Sequence, residues 1–160
     1  MRRTLVIFAG LAVVLAGVLF NVWRKEQVLA HGRVVLLELA PVDPRSLMQG
    51  DYMQLSYAMA RELAPAQEGW PRNGQLVLTQ DAHGVARFVR RHAGEPLAPD
   101  ELLLRYRLRG NVLRLGAESF LFQEGHAERY TRARYGELRV EPDGDSVLAG
   151  LRSAERVPLR

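Results

Sequence analysis

The chain has 160 residues, 48% of them hydrophobic, which is enough for one domain with a core of its own. Four of its 22 basic residues lie within residues 1–25, which hold no acid, and the other 18 balance the 18 acidic residues. Because the basic excess flanks an apolar segment, it indicates membrane topology, and we expect no nucleic-acid partner. The absence of cysteine excludes disulfides, thiolate nucleophiles and cysteine-bound zinc.

The first predicted element is a transmembrane helix. The twenty residues Thr4–Trp23 carry no charge, and a helix of that length is about 30 Å long, the thickness of the hydrocarbon core. Two arginines precede the segment, and Arg24 and Lys25 follow it. One alternative is a signal peptide cleaved after Val28–Ala30, but its apolar region would be shorter, about 7–15 residues. The other, a buried core helix, would be unusual in so small a domain.

These features divide the chain into an anchor at residues 1–25, a helical or irregular stalk at 26–32, and a β-rich domain at 33–160. The lipid bilayer is therefore the first expected partner. The N-terminal arginines and the signal-anchor form favour a single-pass inner-membrane protein, with its N-terminus in the cytoplasm and its domain in the periplasm.

The first half of the domain predicts strands and a hairpin. Arg33–Ala40 is apolar on both faces, which is typical of a buried strand. Gln75–Gln80 and Val85–Arg91 flank a Gly-containing turn and predict a hairpin. Asp51–Met59 alternates and predicts a strand whose apolar face holds Met53, Leu55, Tyr57 and Met59.

The second half has the clearest alternation in the chain, in Leu102–Arg109. Its inward face is apolar, and its outward face holds Arg105, Arg107 and Arg109. The elements predicted after it are the strands Val112–Leu115 and Phe120–Gln123, a short helix within residues 125–134, and a last hairpin of Gly136–Glu141 with Ser146–Arg152. The fold class is therefore mainly β: a transmembrane helix followed by an antiparallel β-sandwich or partly open barrel with one short helix.

The most distinctive stretch is residues 43–57, DPRSLMQGDYMQLSY. It resembles the motif of the GDYXXLXY family of bacterial membrane-anchored proteins, here Gly50, Asp51, Tyr52, Leu55 and Tyr57, with the companion DPR element at Asp43, Pro44 and Arg45. The resemblance continues through residues 25–33, 102–109 and 122–130, in order, and so covers nearly the whole chain. It implies a membrane-associated protein encoded beside or joined to multi-spanning membrane proteins, and it implies no particular activity.

Physically, the motif predicts a junction between a loop and a strand. Pro44 holds Asp43 extended, so that its carboxylate can accept N–H groups of the turn, and Gly50 permits the bend. Arg45 can pair with Asp43 or Asp51. Two interpretations stay open: a structural junction, or a functional cleft where a loop meets a strand. The candidate residues are Asp43, Pro44, Arg45, Gly50, Asp51, Tyr52, Leu55, Tyr57, Glu124 and Gly125.

Outside the motif, the sequence offers little that points to serine or metal chemistry. Lys25, the only lysine, lies beside the anchor, and no Gly-x-Ser-x-Gly elbow is present, which argues against serine nucleophiles. We expect no cofactor and no metal; the weak metal candidates are Glu124, His126 and Glu128, which share a face only on a strand. The carboxylates of Asp43, Asp51 and Glu124 could perform acid–base chemistry if they converge.

The arginine row of residues 105–109 is a cationic stripe about 13 Å long. It is either a solvated sheet face or a surface for anionic lipid headgroups or an acidic partner.

The sequence thus favours a membrane-tethered, non-enzymatic domain that binds or supports another envelope protein, in particular an integral membrane protein. The alternative is a hydrolase or a small-ligand-binding domain that uses an acidic cleft at the DPR/GDY junction. The observation that separates them is whether the junction and Glu124 border a single open pocket.

Overall fold

The computed structural model describes residues 2–40, 48–49, 52–64 and 69–159. Its first element is the helix α1 (Arg2–His31). The predicted stalk is therefore helical and not irregular up to His31. α1 contains one candidate membrane span, Val6–His31, which is long and apolar enough to cross a bilayer. No part of the most apolar window of this span is buried against the described chain.

The remainder of the described chain consists mainly of antiparallel strands, which confirms the predicted fold class. Three sheets curl as half-barrels: a first sheet of order β1-β9-β10-β11, a second of order β2-β3-β8 and a third of order β5-β4-β6-β7. The strands are β1 (Arg33–Glu38), β2 (Met48–Gln49), β3 (Tyr52–Gln54), β4 (Asn73–Gln80), β5 (Ala86–Arg91), β6 (Leu102–Arg109), β7 (Val112–Leu115), β8 (Ser119–Leu121), β9 (Tyr135–Val140), β10 (Ser146–Arg152) and β11 (Pro158–Leu159).

Both predicted hairpins form, and each turn is closed by an aspartate and a glycine. In the β4–β5 turn the Asp81 carboxylate accepts the N–H groups of His83 and Val85 at 2.9 and 3.0 Å, which lowers the pKa of Asp81. In the β9–β10 turn, Gly144 has a φ of +80°, a left-handed conformation that glycine adopts without strain. The turn chemistry read from the sequence therefore sets the register next to each turn, and an irregularity shifts it further along, at Val77/Leu78 in β4 and at Leu148/Gly150 in β10.

The segment after residue 51 departs from its prediction. Met53, Tyr57 and Met59 are buried as the alternation requires, but β3 ends at Gln54 and a short helix, α2 (Ala58–Glu62), begins after Tyr57. The Tyr57 carbonyl accepts the N–H of Ala60 at 3.1 Å, which turns the chain into the helix. An apolar face that continues across a change of element reads as one strand in the sequence, so the prediction of a strand to Met59 was wrong.

Smaller differences between the predicted and the observed elements concern short helices and strands. The predicted helix near residue 130 is α3 (Ala127–Tyr130), so the described chain has two short helices where one was expected. β8 begins and ends earlier than the predicted Phe120–Gln123, and β11 was not predicted. Each of these elements has five residues or fewer, too few for a periodic pattern.

The core lies between the inner faces of the sheets. Leu104 and Tyr106 of β6 are fully buried, as the alternation predicts, and Leu76 and Leu78 of β4 join them. At the centre of β1 three successive residues, Val35, Leu36 and Leu37, are buried, so both of its faces are covered. Along its edges, β1 pairs with β9 on one side, and the N–H of Leu36 donates to the Gly84 carbonyl on the other. This core supports the edge of the domain that meets α1.

Candidate functional site

The end of α1 is docked on the first sheet. Val28 is completely buried, whereas Gln27 before it is half-buried and the two residues after it are exposed. The chain then turns at Gly32, whose N–H donates to the Val28 carbonyl at 2.8 Å. A Cβ at Gly32 would lie 2.5 Å from that carbonyl oxygen and 3.0 Å from the Cβ of Arg139, so only glycine fits. The helix therefore enters the domain through a close contact.

A charged contact between α1 and the β9–β10 turn reinforces this docking. The Lys25 ammonium lies 2.9 Å from the Asp145 carboxylate, and the Arg24 guanidinium lies 3.7 Å from Asp145 and 3.8 Å from Asp143. Burial acts to raise the pKa of Asp145, but the hydrogen bond and charge of Lys25 outweigh it and hold that pKa below its usual range. We call these four residues the clamp.

Beyond the clamp, the turn rests on the third sheet. The N–H of Arg105 in β6 donates to the Gly144 carbonyl at 2.9 Å, and its guanidinium donates to the Asp143 carboxylate at 2.7 Å. Gly144 is buried, and a Cβ there would lie 3.2 Å from atoms of Leu103 and Arg105. The same four-residue turn thus joins the anchor helix to the middle of β6.

A groove of about 1450 Å³ opens beside the clamp. Its walls come from the start of β4, the second half of β6, the β6–β7 turn and the loop after β7, and it reaches Lys25 and Asp145. Two of its lining residues are acidic, Glu118 and Asp145. Its basic lining residues are Lys25, Arg72, Arg105, Arg107, Arg109 and Arg114. We call this the cationic groove.

Half of these cations have a carboxylate partner and half do not. Lys25 pairs with Asp145, Arg105 with Asp143, and Arg114 with Glu118. Within the described residues, Arg72, Arg107 and Arg109 form no ion pair or side-chain hydrogen bond. Arg107 also stands directly opposite Arg114 in the antiparallel β6–β7 pair. The groove therefore concentrates uncompensated positive charge.

One lining residue of the groove, Tyr106, belongs to an aromatic pair. Tyr106 is 1% exposed, and the ring of Trp70 packs against it at 5.4 Å between centroids. Burial raises the pKa of Tyr106, and the nearby Arg91 guanidinium opposes that rise without forming a hydrogen bond of good geometry with the hydroxyl. On β4, Gly74 covers the ring so closely that a Cβ there would lie 2.6 Å from the Tyr106 oxygen. Glycine at position 74 is therefore required by packing.

The part of the sequence motif that the structure describes is built into the core. Tyr57 is 3% exposed, and its hydroxyl donates to the Ala117 carbonyl at 2.8 Å. Burial, together with the charge of Glu118, raises the pKa of Tyr57 well above the ordinary value for tyrosine. Leu55 is buried, whereas Tyr52 is partly exposed. Tyr57 thus fixes the loop after β7, which carries Glu118 to the rim of the cationic groove.

The other predicted site residues are not brought together by the described structure. Asp43, Pro44, Arg45, Gly50 and Asp51 lie outside the described residues. Glu124 and Gly125 occupy an exposed turn before α3 and do not line the cationic groove. His126 precedes α3 and Glu128 lies within it, so the three weak metal candidates are not on one strand. No group of three or more His, Asp or Glu residues in the described ranges could hold a metal ion.

Comparison with known sequences identifies the family. The sequence model of the GDYXXLXY protein family matches residues 14–151, well over half of the chain. The chain belongs to the GDYXXLXY family. No curated protein and no solved structure matches it. In this GDYXXLXY protein the match begins inside α1 and ends in β10, so it includes the clamp and the cationic groove.

Sequence reasoning found half of the cationic groove. The alternation of β6 predicted that Arg105, Arg107 and Arg109 share an outward face, but Arg72 and Arg114 reach the groove only through strand pairing. The signal for Arg114 was available in the short Gly110-Asn111 turn, since a two-residue connection places β7 antiparallel beside β6. The contact of Lys25 with Asp145 spans 120 residues and leaves no local signal.

Proposed function

We propose that this GDYXXLXY protein is a membrane-tethered, non-enzymatic module that binds or supports another membrane protein of the cell envelope. The docking of α1 carries the proposal. A buried Val28 and the charged contact of Lys25 with Asp145 hold the domain against the end of the candidate span. A domain docked in this way presents its binding surface at a constant distance from the bilayer, which suits an accessory subunit of a membrane assembly.

The exposed surface of α1 supports the same proposal. The apolar side chains in the most apolar window of the span have no partner within the described domain, so lipid or the helices of another protein must cover them. The proposal includes the orientation that the N-terminal arginines favour: N-terminus in the cytoplasm, domain in the periplasm, in the inner membrane.

The rival, a hydrolase or ligand-binding domain with an acidic cleft, gains no support from the described residues. The groove that the structure contains is basic, and Glu124 does not border it. The acidic cleft at Asp43, Arg45 and Asp51 stays a prediction, because those residues lie outside the described ranges.

Photo-crosslinking from two positions of the full chain in cells tests the proposal. A crosslinking residue at Val13, which is 73% exposed in the span, and another at Glu124 in the domain should capture the same integral membrane protein. Val28→Asp, which undocks the domain, should abolish the capture from position 124 and leave that from position 13. The matched change Leu29→Asp, at an exposed neighbour, should preserve both. Capture of lipid alone from position 13, with no membrane protein at either position, would contradict the proposal.

A further inference from the structure

We infer that the cationic groove binds the phosphate-bearing headgroup of an anionic membrane phospholipid. The inference rests on the membrane tethering in the proposed function, but it requires no partner protein. It assigns a ligand to a set of basic residues that the fold gathers from four places: Arg72 just before β4, the arginines of β6, Arg114 of β7 and Lys25 in the last part of α1.

The first argument is energetic. Like charges directly opposite in an antiparallel pair destabilise the sheet, and Arg107 faces Arg114 in this way. Only Arg114 has a carboxylate to compensate it, Glu118. The fold thus tolerates an unfavourable arrangement at Arg107, with Arg72 and Arg109 equally uncompensated nearby. A bound anion would remove that repulsion.

The second argument is chemical. Guanidinium groups present several N–H donors in a planar fork that matches the oxygens of a phosphate, often with two parallel bonds. Alternate residues of a strand are about 7 Å apart, so Arg107 and Arg109 can approach one headgroup from the same side. The glycines that border the groove, Gly110 among them, keep its rim low.

The third argument is location. Lys25 belongs both to the groove and to the last part of the candidate span, two residues after Trp23. Tryptophan and basic residues at the end of a transmembrane helix lie at the level of the headgroups. One end of the groove therefore opens where the phosphates of a bilayer lie.

A titration of the purified full chain in a neutral detergent tests the inference. The probes are dihexanoyl phosphatidylglycerol, which is anionic, the zwitterionic dihexanoyl phosphatidylcholine, and inorganic phosphate, each followed by the melting temperature. We expect the anionic lipid to raise the melting temperature and the zwitterionic lipid to leave it unchanged. These soluble lipids need no bilayer and no partner, so a failed crosslinking experiment would not affect the result.

Variants then locate the binding. Arg107→Gln with Arg109→Gln should weaken binding of the anionic lipid at least about tenfold, because it removes two guanidinium groups that form charge-assisted hydrogen bonds with the phosphate. The matched control, Arg33→Gln with Arg132→Gln, removes two exposed arginines outside the groove and should bind as the natural chain does. Without lipid, the groove variant should melt no lower than the control, because it loses a like-charge contact.

Four results would overturn the inference. Equal responses to the two lipids would exclude headgroup charge as the determinant. Equal losses in the groove variant and the control would place binding elsewhere. A response to inorganic phosphate as large as that to the anionic lipid at equal concentration would assign the groove to a soluble anion. Absence of any response to the anionic lipid would also reject it and would favour an acidic partner protein.

Discussion

The ammonium of Lys25 and the carboxylate of Asp145 are separated by 120 residues of chain and by 2.9 Å in space. The pair joins the end of an apolar helix to the turn of the last large hairpin. Both side chains are partly exposed, so the ion pair itself contributes at most about 1 kcal/mol. Val28, which is fully buried one turn later, provides the larger share of the contact, about 1.5–3 kcal/mol.

The first prediction uses the fact that Lys25 is the only lysine in the chain. A lysine-specific protease can therefore cut only after residue 25, and only when the helix end leaves the domain. Val28→Asp should accelerate cleavage of the detergent-solubilised full chain at least about tenfold, because it removes the buried contact.

Leu29→Asp provides the control, since Leu29 is partly exposed in the same helical turn. Its cleavage rate should stay within about twofold of the natural chain. Equal acceleration by both changes would mean that helix fraying, and not undocking from the sheet, exposes Lys25.

The second prediction concerns Gly74. An alanine Cβ there would lie 2.6–2.7 Å from three atoms of the Tyr106 side chain, which is 1% exposed and also packs against the ring of Trp70. Because the ring cannot move away, Gly74→Ala should lower the free energy of unfolding by about 1–3 kcal/mol, measured by denaturant titration. Gly150→Ala is the matched control: a Cβ there meets nothing within 4 Å. A stability loss of the same size at both positions would indicate a general cost of leaving glycine.

The third prediction concerns Tyr57 at high pH. Its pKa is raised in the folded protein, so an unfolded chain releases this proton first, near the ordinary value of 10.0. The stabilising effect of the neutral phenol is complete below that value and is lost as the pH rises above it. Ultraviolet titration should show Tyr57 ionising late, together with Tyr106, and Tyr57→Phe should remove one of the two late phenols.

The same variant tests the hydrogen bond to Ala117. Removal of the hydroxyl leaves that carbonyl without its donor, and the expected cost is about 1–2 kcal/mol at neutral pH. Tyr135→Phe, at a half-buried tyrosine in β9, should cost less. If Tyr57→Phe left the free energy of unfolding unchanged and the variant still showed two late-ionising phenols, the result would contradict both the burial of Tyr57 and its hydrogen bond to Ala117.

The sequence predicted those parts of the fold in which a local pattern repeats. Leu104 and Tyr106 alternate with arginines over eight residues of β6, and the burial of that strand follows the pattern. The Asp81 and Gly144 turns were predictable because their chemistry is contained in four residues. The segment around Met59 was not, because its apolar period continues while the chain changes from strand to helix.

The candidate site was less predictable, because most of its residues come together through contacts between distant parts of the chain and not through a local pattern. Arg107 and Arg109 belong to one strand and were grouped correctly, whereas Arg72 lies more than thirty residues before them and meets them across the β4–β6 pairing. The described residues of the most distinctive sequence motif do not line the groove. Its Tyr57 is part of the core and affects the groove only indirectly, because its hydroxyl holds the loop at Ala117. A sequence motif marks residues that the family shares, but the strand pairing between distant segments determines which residues line the groove.

The β9–β10 turn contacts both α1, which contains the candidate membrane span, and β6 of the domain. One side of it binds Lys25 at the end of the helix, and the other side binds the backbone of Arg105 in the middle of β6. A helix in a bilayer leans further when the bilayer becomes thinner, at a modest energetic cost. Because the turn contacts both α1 and β6, we expect a change in the tilt of α1 to shift β6 and so to change the width of the cationic groove.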